Sequence, residues 1–125
     1  MKEVPQSLRS MFLIHFIIDM VFAIPLFIAP TWFLGLVGFT IIDPVTARLV
    51  AAALFGIGGA SYFTYRKGKE SYNILLTLKI LWSGTAIVGL VLSIIQGAPS
   101  ITWLFVALFA VFLGIWVWYK RLLSI

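Results

Sequence analysis

Four apolar runs of about 20 residues constrain this chain more than any other feature, because that is the length an α-helix needs to cross the ~30 Å hydrocarbon core of a bilayer. In a chain of 125 residues such runs leave only short connections. The expected fold is therefore an all-α integral membrane four-helix bundle, a single transmembrane domain over residues 1–125 with spans at 8–28, 44–65, 72–96 and 101–119. The composition, 62% hydrophobic and 10% charged with a mean hydropathy of +1.12, lies far from the roughly half apolar, quarter charged make-up of soluble domains.

Local signals mark the ends of the spans. Ser7 is a candidate N-cap for the first, and Pro25 and Pro30 bend or end it. Residues 31–39 are apolar but too short to cross again, so they are expected to lie in the interface as a short segment anchored by Trp32. The second span opens on Asp43, an N-cap acid, and Pro44, whose missing N–H costs nothing at the first helical position. It stops at Arg66 and Lys67, with Gly68 suited to a left-handed cap. Ser71 and Ser100 are candidate caps for the third and fourth spans. Gly97, Ala98 and Pro99 separate those two, and Lys120 and Arg121 close the last. Lys2 and Arg9 ahead of the apolar run 11–29 mimic a signal peptide. However, that run exceeds the usual apolar region of about 7 to 15 residues and contains His15, Asp19 and Pro25, so a retained first span is expected.

Basic residues set the orientation, since Lys and Arg are held on the cytoplasmic side. Lys2, Arg9, Arg66, Lys67, Lys69, Lys120 and Arg121 all fall at one end of the spans, and loops 30–43 and 97–100 at the other end contain none. Both termini are thus expected inside, and this imbalance opposes a dual topology. Trp32 and Trp103 fall at the outer interface, while Tyr62, Tyr65, Tyr72, Trp116, Trp118 and Tyr119 fall at the inner one, as aromatic belts do.

Helices in lipid associate through small residues that let backbones approach. The second span has Ala52, Gly56 and Ala60 at four-residue spacing and is expected to be the most buried. The fourth has Ala110 and Gly114 at the same spacing, for packing within the monomer or for a homodimer through that span. The lipid bilayer itself is an expected partner, alongside a small-molecule or lipid ligand.

Ionisable groups at membrane depth are costly and mark functional candidates. His15 and Asp19, four apart, share one face of the first span. At ~1.5 Å rise per residue, Asp19 lies about 16 Å and Lys79 about 10 Å from the inner end. A lysine side chain spans the difference, so an Asp19–Lys79 ion pair flanked by His15 is expected, with Ser83 one turn beyond Lys79. This cluster reads either as a structural pair that fixes helix register or as a protonatable site for a small molecule, lipid or ion. Arg48, in the first turn of the second span, reads as a group snorkelling to Asp43, loop carbonyls or lipid phosphate, or as part of an anion-attracting pocket.

Several classes drop out. With no cysteine, disulfides, thiolate catalysis and Cys-ligated metals are excluded. The basic residues cap apolar runs rather than line a groove, which argues against nucleic acid. His15 and Asp19 alone are too few ligands for a metal, and a lone histidine is a poor basis for haem, so no cofactor is expected.

The order of features is telling: Pro30, Thr31, Trp32 and Phe33 after the first span, then Asp43 and Pro44, then the run RLVAAALFGIG from Arg48 to Gly58. In these it resembles small uncharacterised prokaryotic four-helix membrane proteins of the DoxX-like kind. The resemblance covers the architecture over most of the chain and the sequence over 43–58. It implies a prokaryotic inner-membrane location, and some relatives of that group are accessory subunits of quinone-linked oxidoreductases. In layout alone the chain is also similar to small multidrug-resistance transporters, which have a carboxylate in their first span; Lys79 and Arg48 would repel their cationic substrates. The leading functional expectation is a non-enzymatic accessory or small-ligand/lipid-binding module. A homodimeric proton-coupled transporter using Asp19 comes second, and a membrane enzyme or redox accessory subunit third.

Overall fold

The structure, a computed structural model, describes residues 3–124. Lys2, one of the cations counted for orientation, lies outside them. The described chain forms five helices: α1 (Gln6–Ile28), α2 (Pro30–Val37), α3 (Pro44–Thr64), α4 (Lys69–Ile95) and α5 (Thr102–Leu123). All but α2 are long and apolar enough to cross a membrane, so the chain is an all-helical, multi-pass membrane protein.

Some boundaries move for clear reasons. Asp43 caps α3 as its sequence signal implies, with Oδ1 accepting the Val45 N–H at 3.0 Å and Oδ2 the Thr46 hydroxyl at 2.7 Å. The three serines do not serve as caps. Pro5, held extended, starts α1 and places Ser7 inside it. Gly68, with φ −90°, starts α4 instead of ending α3 in the left-handed region. That start puts Glu70 in the first turn, where an acid complements the helix dipole. Ser100 accepts the Trp103 N–H through its carbonyl, and Ile101 precedes α5 without a side-chain cap. α5 runs on through Lys120 and Arg121, whose charges suit its C-terminal end.

The chain divides into two compact units. The first, Pro5–Lys67, is a hairpin of α1 and α3 with α2 at its turn. Arg9 near the start of α1 donates to the carbonyls of Tyr65 (2.6 Å) and Lys67 (2.9 Å) just beyond α3, and Arg48 Nε near the start of α3 donates to Phe27 O (2.8 Å) in the last turn of α1. These ties make the helices antiparallel. Between them lie the ring contacts Phe16–Tyr62 (4.9 Å) and Phe27–Phe55 (5.9 Å). The buried residues of α1, from Leu8 and Phe12 through His15 and Asp19 to Ala23 and Leu26, are spaced by three and four and form one stripe. α2 docks through Phe33 and Leu34 onto Leu26, Ala47 and Ala51, where Leu54 also packs, leaving Trp32 and Leu36 exposed. Gly38, at φ +116°, ends α2 by donating its N–H to Leu34 and Gly35 carbonyls, a conformation that a Cβ would disfavour.

α3 has the largest buried share of the four long helices, but not on the expected stripe. Ala52 and Gly56 are exposed and Ala60 is only half-buried; its buried residues are Ala47, Ala51, Ile57, Gly58 and Ser61. So many small residues surround α3 that their spacing fits more than one face, and the face is chosen by the depth of contact with α1.

The second unit is the hairpin of α4 and α5. Lys120 Nζ donates to Asn73 Oδ1 (2.6 Å) and Asn73 O (3.2 Å), joining the end of α5 to the start of α4. Gly97, at φ +104°, makes the turn between them. α4 buries Tyr72, Leu76, Lys79 and Ser83, and α5 buries Phe112 and Trp116 with Thr102 and Leu123 near its ends. Ala110 and Gly114 are exposed, with open space where a Gly114 Cβ would stand, so they do not form the seam with α4. Bulky rings form it instead, including a Trp82–Phe109 edge contact at 6.0 Å.

Candidate intramembrane polar site

Of the candidate polar residues, His15, Asp19, Lys79 and Ser83 are buried, each inside a helix of membrane length. In the first hairpin, His15 Nε2 stands 3.4 Å from Asp19 Oδ1, one turn apart on α1. What seats the pair is Gly58 on α3. A Cβ added there would fall 2.8 Å from Asp19 Cβ, 3.2 Å from its Oδ2 and 2.9 Å from Met20 Cε. α1 and α3 therefore approach closely where the carboxylate lies, and only glycine leaves it room. One turn along α3, Ser61 is buried with its hydroxyl donating to Ile57 O (3.0 Å).

In the second hairpin, Lys79 is fully buried, with Nζ 4.8 Å from the centroid of the Trp116 ring. Phe112 stacks on Trp116 at 5.6 Å. A ring face attracts an ammonium group where water is absent, so the aromatic seam provides a place for the charge. Ser83 is buried one turn further along α4. His15 and Asp19 thus come together in one unit and Lys79 and Ser83 in the other.

Arg48 is exposed and bonded to the Phe27 carbonyl, a free acceptor at a helix end. Its partner is a backbone carbonyl rather than Asp43, which serves its own helix. The Thr46 hydroxyl and then the Val45 N–H hold the Asp43 carboxyl below its ordinary value. Among the described residues no three His, Asp or Glu side chains converge as metal ligands.

Two participants were missing from the sequence reading. Gly58 is one small residue among many on α3, and Trp116 is indistinguishable in sequence from an interfacial anchor. Thr102 is a further buried polar group, its Oγ1 making no hydrogen bond among the described residues. Set against known proteins, the chain matches no family model, no curated protein and no solved structure.

Proposed function

We propose that this chain is a non-enzymatic accessory or small-ligand/lipid-binding module of a prokaryotic inner membrane, working through its intramembrane polar cluster. One observation carries the reading: His15, Asp19, Lys79 and Ser83 are all buried inside helices of membrane length. Ionisable groups in such places are retained for a structural or binding role, because stranding one costs roughly 3 to 5 kcal/mol. The likeness over residues 43–58 to DoxX-like proteins supports the location and the accessory role. The exposed Ala110 and Gly114 support a homodimer through α5.

The test combines extraction with native lipids, mass spectrometry of retained small molecules, and thermal unfolding. Asp19→Asn and Lys79→Met are each expected to lose a retained ligand. A purely structural role shows itself otherwise: each substitution changes thermal stability without changing what is retained. If neither substitution changes stability or retention, the proposal fails.

The proximity of His15 to Asp19 favours proton-coupled transport as a second reading, since imidazole titrates near neutrality. Substrate binding would then release a proton between about pH 5 and 8, and Asp19→Asn would abolish that release.

A further inference from the structure

We propose that the chain is a tandem repeat, one membrane hairpin present twice, in which α2 is an insertion specific to the first copy. The buried residues of α4 each follow a buried residue of α1 by 64 positions: Tyr72 follows Leu8, Leu76 follows Phe12, Lys79 follows His15 and Ser83 follows Asp19. Amphipathic stripes share a spacing of three and four, so two stripes can always be slid into register. Polar identity is not fixed by that period. Of the six polar residues in α1, five (Gln6, Ser7, Arg9, His15 and Asp19) have a polar residue 64 positions on, and only Ser10 does not.

The returning helices correspond at a shift of 55. Ala47, Ile57 and Ser61, buried in α3, map onto Thr102, Phe112 and Trp116, buried in α5. One polar tie of each hairpin obeys both shifts at once. Arg9 bonds to Tyr65 in the first hairpin, and the positions 64 and 55 beyond them are Asn73 and Lys120, the tie of the second. The donor has changed helices while the pair of positions has not. The shifts differ by nine residues because the first connection, 29–43, has 15 residues and the second, 96–101, has six. That difference is located entirely where α2 lies.

Internal repeats detectable only as faint internal symmetry are common in small-molecule transporters, with binding groups placed at corresponding depths. Here His15 and Lys79 each stand six residues beyond their own hairpin's tie, and Asp19 and Ser83 ten. The polar residues of the two halves are therefore counterparts, diverged from a single position each. This inference holds whether or not the cluster binds a ligand.

Exchanging the ties in the full chain tests the equivalence. Arg9→Asn is expected to lower Tm by about 3–6 °C, and Tyr65→Lys in that background to recover at least half of the loss by donating from just beyond α3. Thr64→Lys, one residue out of register, is expected to recover none. Recovery by Tyr65→Lys no better than by Thr64→Lys overturns the proposal. If Arg9→Asn leaves Tm unchanged, replacing residues 29–43 with the six of 96–101 decides. A monodisperse, folded protein supports the repeat, and an aggregated one overturns it.

Discussion

At the scale of single residues, the close approach at Gly58 makes the sharpest prediction. Gly58→Ala pushes a methyl group into Asp19 and Met20 and should destabilise by about 1–3 kcal/mol through overpacking. Gly59→Ala meets nothing within 4 Å and should be neutral in the same thermal-unfolding assay. A pH effect belongs to Asp43. Its carboxyl is held below the ordinary 3.8 by Thr46 and Val45, so its contribution is complete above that value and is lost as the pH falls through the lower folded-state value. Asp43→Asn, which still caps, should flatten the acid limb of the stability–pH profile below about pH 4 and change little at neutrality. Asp43 was legible in the sequence because an N-cap acid before proline has few other uses. Gly58 was not, because its role depends on which neighbour faces it.

At the scale of elements, membrane-length helices were legible because apolar length is set by the bilayer, whereas faces and caps were not. The expected stripe of Ala52, Gly56 and Ala60 missed the seam, since alanine and glycine occupy nearly every side of α3 and only packing against α1 chooses among them. Ser7, Ser71 and Ser100 failed as caps because Pro5, Gly68 and the turn after Gly97 start their helices on backbone geometry alone. The short segment after the first span was anticipated and is α2, held by Phe33 and Leu34. Phe33→Ala should release it, costing about 1–3 kcal/mol. In hydrogen exchange, amides of residues 30–38 should then lose protection while those of α1 and α3 keep theirs.

At the scale of the whole molecule, the cations at one end of the long helices predict the sidedness, and the absence of cysteine gives a clean background for testing it. Gly68→Cys should react with an impermeant thiol reagent only after the membrane is opened, and Ser100→Cys should react in intact cells. The opposite pattern would invert the proposed orientation. The candidate polar residues were legible individually, because any ionisable residue within an apolar run stands out. Their seating was not, because it depends on Gly58 and Trp116, which resemble ordinary packing and anchoring residues. The ties of the first hairpin carry a consequence for biosynthesis. Arg9 finds its acceptors at Tyr65 and Lys67, and Arg48 finds its own at Phe27, so these bonds lie within residues already translated when Gly68 is added. The ribosome can therefore hand the insertion machinery one closed pair of helices before the next pair emerges.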